Sequence, residues 1–584
     1  MKRIYHEWNN LYQQLDRLLL LFVFVFTTIE VVWIPFNSWL SEVLLGWTGY
    51  AYLSPTNLLA VLSAKWWVTL LFLLQVIANF LLVYLEIGLL VLGLIRILEK
   101  QENLRSYLLG LLSDLRQILR TVSLSKILYI LMYSAVFFPF LRKILQIYYM
   151  DKLIIPRFVL DHYSKNPFIA IILVLFVLLF FWLATRLLHS LPLIYQKEMS
   201  VRQAVVESFR KTRQFGSWKA YFRLLWLVIQ TRLAFLLIGL SLYFLQILAD
   251  KLPELLALGF AILHMTMLHL AHYGIIFLFL LKFISYSADS EWQSSRPQKI
   301  HYGMRLGILA LVVFYFGGQV FVSLYFPSRD LPVTISHRGV DQENGVQNTI
   351  PALEKTAKLK PDYVEMDVQE TKDGDFVVMH DTDLKALTGH EGGTHDYSLA
   401  ELTQMRASEN DQSSPVPSFE EYLSTAEALK QKLLVEIKTT PADSPQMMER
   451  FLKTYGARLL AGGHQMQSLD YAVVQAVKSF DKKLLSAFIL PFNSIYPNTV
   501  ADGYTMEYTS LDQSFTFRSW FHKKFVYAWT PNDEEGMVQA IQLQVDGIIT
   551  DNLQLLQETL KDFSEQQSYA NLILLQMRLL FLQI

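Results

Sequence analysis

The sequence predicts an N-terminal all-α multispan membrane domain followed by a (β/α)8 barrel. Three observations carry this prediction. Nearly all the long apolar runs fall within residues 1–327, and several reach the roughly 20 residues that cross a bilayer core as a helix. Residues 328–565 are instead rich in Asp, Glu, Lys and Gln, and short β-prone runs alternate there with helical ones. A repeated βα pattern over about 235 residues suits one closed barrel better than a doubly wound sheet. A tail, 566–584, completes the division; its apolar run from Leu572 to Leu582 is interrupted by Gln576 and Arg578 and is short for a span.

Seven runs are candidate spans: 18–36, 67–95, 124–141, 168–185, 224–248, 254–281 and 306–326. No small-residue cleavage site follows the first, which reads as a retained helix. The sixth is long enough for one tilted helix or two short segments, and 43–63 reads as interfacial. Lys and Arg set the orientation. Segments 1–17, 96–126, 186–223 and 282–305 hold 21 of them, against seven in the alternate loops 37–66, 142–167 and 249–253. The rich set is expected in the cytoplasm, which makes this a multi-pass cell-membrane protein with residue 328 and the barrel outside.

Two basic segments, 102–125 and 199–222, mix apolar residues at helical spacing. In the first, Leu108, Leu111, Leu112, Leu115 and Leu119 form a stripe flanked by Arg105, Arg116 and Arg120. That pattern suits a helix lying on anionic membrane lipids, or a loop helix packed on its neighbours. Glu86, Arg232, His264, His269 and His272 sit at membrane depth, either as functional groups or along a helix seam. Three roles stay open for the membrane half: a lipid-sized cavity, a homodimer contact, or a tether. The tail is expected on the membrane, against the barrel, or against a second subunit.

In the barrel, strands are expected at 332–336, 363–370, 376–379, 432–438, 484–488, 526–529 and 547–549, with helices at 349–359 and 418–430. The prolines and serines of 411–418 read as a loop. Polar residues cluster at the C-terminal strand ends, where a barrel of this kind carries its chemistry. His337 and Arg338 follow the first strand. Glu365 and Asp367 share one face of the second by alternation, and Glu436 and Lys438 share a face of another. His380-Asp381 follows the run at 376–379.

Each residue type has a role it suits. Glu365, Asp367 and Glu436 offer hard oxygen ligands for one Ca²⁺ or Mg²⁺. Arg338 presents a planar donor fork to a phosphate, and Lys438 neutralises charge on phosphoryl oxygens. His337 and His380 exchange protons near neutrality. Together they point to metal-assisted cleavage of a phosphodiester. Tyr527 and Trp529 alternate on a late strand, as barrel filling or, for Trp529, as a substrate wall. His390, His395, His464 and His522 lack such context and are expected at the surface. A formal net charge of −1 gives no reason to expect nucleic acid as a partner, and the absence of cysteine excludes disulfides and thiolate metal sites.

The soluble half resembles the glycerophosphodiester phosphodiesterase family. The residues that carry the resemblance are His337-Arg338-Gly339, Asn348-Thr349, Glu365-x-Asp367, His380-Asp381, Ser398-Leu399 before Glu401-Leu402, Pro417-Ser418-Phe419-Glu420, Glu436-Ile437-Lys438, Trp529-Thr530 and Asp546 to Asp551. The apolar half looks like the multispan region preceding this domain in some Gram-positive bacterial members. The resemblance implies a (β/α)8 barrel and a divalent cation on Glu365, Asp367 and Glu436. It also implies His337 and His380 as an acid/base pair, with Arg338 and Lys438 on the phosphate. The implied reaction releases glycerol 3-phosphate and an alcohol, through attack by the glycerol 2-hydroxyl and a cyclic phosphate. One position departs from the family pattern: Gln347 stands where Glu is usual, keeping size but losing charge. Cleavage of intact membrane lipids, or of glycerophosphate cell-surface polymers, is the alternative expectation. A non-catalytic binding or transport role is a third.

Overall fold

The computed structural model describes residues 13–54, 56–100, 102–145, 167–214, 217–290, 302–325, 331–565 and 568–583. The chain divides into two compact units. One comprises Met1–Thr48, Leu62–Pro327 and Gln567–Ile584; the other comprises Gly49–Val61 and Ser328–Gln566. Gly49–Val61, expected with the membrane half, thus groups with the barrel, and the tail groups with the helices.

The first unit is helical. Among the described residues, five helices are long and apolar enough to cross a membrane: Trp66–Glu99, Pro167–Leu187, Tyr221–Ala249, Glu254–Ala288 and Arg305–Val322. A sixth arises if Leu104–Arg120 and Leu124–Val136, bent by 111° at their junction, form one span. The expected first span is helical as well, running through Val23–Trp33 into Ile34–Thr48. The long sixth run is one unbroken helix, Glu254–Ala288. Basic residues at 1–12, 146–166 and 291–301 that enter the orientation count lie outside the described residues.

The stripe expected on 102–125 is partly buried within the unit, at Leu111 and Leu115. The buried face of helix Leu104–Arg120 is Tyr107, Leu111, Asp114 and Ile118, and Asp114 accepts from Arg96. Leu108, Leu112 and Leu119 are exposed instead. Asp114 is buried beside Arg96, a partner that the pattern within this helix does not show. The intramembrane histidines line a seam. His264 Nδ1 lies 2.7 Å from Gln246 Oε1, His269 stacks on Phe316, and His272 meets the ring of Phe235. The tail forms a helix, Tyr569–Gln583, within this unit. It buries Ile573, Met577 and Leu580 against Phe235, Leu242, Met265 and Leu268. Gly239 makes room for this: a Cβ there would lie 2.4 Å from Met577 Sδ.

The second unit is the barrel. Its strands are β1 (Val333–Ser336), β2 (Tyr363–Glu370), β3 (Phe376–Val378), β4 (Arg406–Glu409), β5 (Gln412–Pro415), β6 (Leu433–Ile437), β7 (Gln465–Ser468), β8 (Ser486–Leu490), β9 (Gly503–Glu507), β10 (Phe525–Trp529) and β11 (Gly547–Thr550). The parallel order β1-β11-β10-β9-β8-β7-β6-β2 closes through a β1–β2 pairing into eight strands. β3 is no barrel strand; it pairs antiparallel with β2, Val368 opposite Val378. The loop expected at 411–418 is partly β5, which forms a hairpin with β4. Asn410 and Asp411 supply the two positive-φ residues of its tight turn. The sequence reading also misses β7 and β9. Gln465-Met466-Gln467-Ser468 is too polar to read as a strand, since its glutamines serve neighbours across the sheet.

Two caps explain residues of the family pattern that lie away from the chemistry. Ser418 accepts from the Glu421 amide, and Ser398 exchanges hydrogen bonds with Glu401 in a capping box. Between sheet and helices, Phe419, Tyr422, Phe451 and Val435 are fully buried, each stabilising by about 1.5–3 kcal/mol.

One outer position lacks a helix. β8 leads through 491–502 directly into β9. Residues of 49–54 cover the gap: Tyr52 packs on Phe488 and Tyr471, with ring centroids 4.7 and 5.5 Å apart, and Asn498 N–H donates to the Ala51 carbonyl. His464, expected at the surface, is buried and accepts from the Leu433 amide at 2.8 Å. His395 is half-buried and pairs with Asp443 at 2.7 Å. Both find partners remote in sequence, which no local pattern reveals. His390 and His522 are exposed, as expected.

Candidate active site

β1 ends in a short turn, His337–Gly339, that reverses the chain over the barrel mouth. Arg338 and Gly339 both take positive φ, 50° and 70°. Gly339 is required there, because a Cβ would also lie 2.8 Å from the Tyr422 hydroxyl. The turn aims the Arg338 amide at Glu365 Oε2, 2.9 Å away.

Glu365 and Asp367 alternate onto one face of β2, and the parallel register sets Asp367 beside Glu436 on β6. All three are buried, and one oxygen from each lies within 4.8 Å of the others. Lys438 Nζ donates to Glu436 Oε1 at 2.9 Å and lies 3.4 Å from Asp367 Oδ1. Arg338 Nε lies 3.7 Å from Asp367 Oδ2. Burial, followed by repulsion from Asp367 and Glu436, pushes the Glu365 carboxyl well up. Burial and Asp367 raise Glu436 in the same way. Burial would raise Asp367 too, but Lys438, Arg338 and His380 outweigh it and hold it below the usual range. Burial opposes the Lys438 charge, yet Glu436 and Asp367 keep its pKa above the ordinary lysine value. Three buried carboxylates against two cations make a donor set that fits a hard divalent ion.

Each histidine is anchored by a carboxylate. His337 Nδ1 lies 2.7 Å from Asp551 Oδ1, and Asn532 donates to Asp551 Oδ2. His380 Nδ1 lies 2.7 Å from the adjacent Asp381. The β2–β3 hairpin returns the chain so that His380 follows β3 above β2. Gln369 Nε2 lies 3.0 Å from each of the carbonyls of Met379, His380 and Asp381. These pairings leave Nε2 of each ring for proton exchange.

The structure thus brings His337, Arg338, Glu365, Asp367, His380, Glu436 and Lys438 to one end of the barrel. Trp529 ends β10 at the same end, half-buried against the inner cluster of Ile335, Leu434, Tyr527 and Ile549. Tyr527 is barrel filling, and its hydroxyl donates to Gln465. Sequence reasoning missed several residues. Asn348 donates to Asp367 Oδ2 at 2.8 Å and Gln467 to Glu436 Oε2 at 3.3 Å. Asp551 and Gln369 orient the histidine segments, and Glu409 contacts Gln347. Only Asn348 and Asp551 carry a sequence signal, as members of the family pattern. A second acidic group, Glu370 with His395 and Asp443, has comparable spacing, but Arg450 and Ser444 already bind Glu370.

A parallel eight-stranded barrel with this acidic, cationic and histidine-bearing mouth, joined to long apolar helices, defines a membrane-bound phosphodiester hydrolase. The chain belongs to the glycerophosphoryl diester phosphodiesterase family whose members carry a membrane domain. The family profile "Membrane domain of glycerophosphoryl diester phosphodiesterase" matches residues 4–317, more than half of the chain. Profiles of the "Glycerophosphoryl diester phosphodiesterase family" match 337–458 and 526–554. A glycerophosphodiester phosphodiesterase of Caldanaerobacter subterraneus is 26% identical over 233 residues, covering 38% of this chain and 96% of that protein. One from Bacillus subtilis is 25% identical over 287 residues, covering 44% and 96%. Among solved structures, a phosphodiesterase of Oleispira antarctica in complex with the product sn-glycerol-3-phosphate is 20% identical, with a TM-score of 0.36, covering 41% of this chain and 99% of that one.

Proposed function

We propose that this protein hydrolyses glycerophosphodiesters to glycerol 3-phosphate and an alcohol at the outer face of the cell membrane. The observation that carries the reading is the cluster of three buried carboxylates with two carboxylate-anchored histidines at one barrel mouth. Glu365, Asp367 and Glu436 would hold one Ca²⁺ or Mg²⁺, which when bound supplies positive charge to the phosphoryl oxygens. Arg338 and Lys438 bind the non-bridging oxygens and stabilise charge developing there. One histidine takes the proton of the glycerol 2-hydroxyl as its oxygen bonds to phosphorus; the other protonates the departing alcohol as its P–O bond breaks. Water then adds to the cyclic phosphate with the proton roles reversed, and the bond to the 2-oxygen opens. Trp529 forms a wall for the substrate.

The outer-face placement draws on the Lys and Arg count and on chain parity. Residues 49–54 pack on the barrel, so the two share a side of the bilayer. An even number of crossings must then lie between them, and the described helices supply six when the bent pair counts as one.

Purified full-length protein in detergent, given glycerophosphocholine with Ca²⁺ or Mg²⁺, should release glycerol 3-phosphate, and His337→Ala and His380→Ala should abolish release. No release with either cation, from this substrate or from a glycerophosphate polymer, would overturn the reading. Preference for an intact lipid in direct competition would favour the lipid-cleaving alternative.

A further inference from the structure

The β4–β5 hairpin stands outside the barrel and carries none of the residues assigned above, yet its tip grips the loop that leads away from Arg338. Gln412 donates to the Glu343 carbonyl at 3.0 Å. Glu409 makes the decisive contacts. Its Oε2 accepts the Gln347 backbone amide at 3.1 Å, and its Oε1 accepts Gln347 Nε2 at 2.9 Å. The other end of the Gln347 amide, Oε1, accepts from Arg338 Nη1 at 2.5 Å.

A glutamine amide has a donor end and an acceptor end, and either could face an arginine in the wrong rotamer. A guanidinium only donates, so Gln347 serves Arg338 only while its oxygen faces that way. A carboxylate only accepts, so Glu409 admits only the Nε2 end. Its position therefore fixes the amide direction, and through it the guanidinium. Arg338 is also held near Asp367, so its fork is located from two sides.

We propose that Glu409 is a positioning residue that orients Arg338 toward substrate phosphate through Gln347, a role that rests on the assignment of Arg338 to phosphate. Gln347 at this position is then one half of a matched pair. A carboxylate at 347 would face the carboxylate of Glu409 across hydrogen-bonding distance, and one of the two would lose its partner.

The test is a double-mutant cycle in the full-length protein, assayed on glycerophosphocholine. Glu409→Gln should raise KM about tenfold, the size of a lost charge-assisted hydrogen bond, with kcat changed less than about threefold. Gln347→Glu should lose at least as much. The pair Gln347→Glu with Glu409→Gln should recover to within about threefold of wild type, because donor and acceptor are simply exchanged. Wild-type kinetics for Glu409→Gln, or no recovery in the pair, would overturn the proposal. Hydrogen exchange over 340–348 reads the clamp without turnover. Faster exchange in Glu409→Ala alongside an inactive wild type would sink the functional reading and uphold the clamp, whereas unchanged exchange would sink the clamp.

Discussion

His337 and Asp551 meet at 2.7 Å across 214 positions of sequence, joining the ends of the first and last barrel strands. Burial alone would raise the Asp551 carboxyl, but His337 and Asn532 bring it down to about 2. It is therefore ionised at any pH at which the enzyme would work, and it holds His337 with Nδ1 toward it. Asp551→Asn should lower kcat about 100-fold or more while leaving KM nearly unchanged, since only ring orientation and proton affinity are touched. Steady-state kinetics check this. A loss confined to KM would instead place Asp551 in substrate binding.

Metal binding should appear in stability as well as rate. An ion that binds only the folded barrel stabilises it by about 3 kcal/mol at 100 times its dissociation constant. Ca²⁺ or Mg²⁺ should raise the unfolding temperature of the chelator-treated protein. Glu436→Gln should abolish that rise. An unchanged melting curve in the wild type would remove the ion from the site.

The buried His464 makes barrel stability depend on pH. Burial lowers its pKa to about 4. The unfolded chain takes up a proton near pH 6.5, whereas the folded one does so only near 4. Between those values the unfolded state binds more protons, so stability falls as pH falls. The cost at pH 5 relative to pH 8 is about 2 kcal/mol. His464→Asn, whose oxygen can accept from the Leu433 amide, should flatten the difference in chemical denaturation at the two pH values.

The cysteine-free sequence offers a clean test of orientation. Ser514→Cys on the barrel and Ser200→Cys, just before helix Val201–Gln214 in the expected cytoplasmic segment, both place a thiol at an exposed position. A membrane-impermeant maleimide on intact cells should label the first and reach the second only after permeabilisation. The opposite pattern would put the barrel in the cytoplasm.

Much of the site was legible because its carboxylates obey a local rule. Glu365 and Asp367 sit two apart on a strand whose apolar neighbours, Val364, Met366 and Val368, mark it as buried. Leu433 to Ile437 announces itself the same way and brings Glu436 with it. β7 was illegible because its glutamines look like surface until Glu436 and Tyr363 are seen beside them. Glu409 was illegible for a similar reason, since its partner lies 62 residues away and nothing in the hairpin itself hints at chemistry. The partner of the buried Asp114 was illegible as well, since Arg96 lies 18 residues before it on another helix.

The segment carrying Tyr52 bears on how this enzyme can be taken apart. By sequence the barrel begins near Ser328, and a fragment cut there would look complete, with every strand and every site residue present. It would nonetheless lack the plug over Phe488 and Tyr471, leaving an apolar wound beside the 491–502 loop where other domains of this shape wear a helix. Such a fragment should self-associate through that opening. A peptide spanning 49–61, supplied separately, should cover it and keep the fragment monomeric in gel filtration.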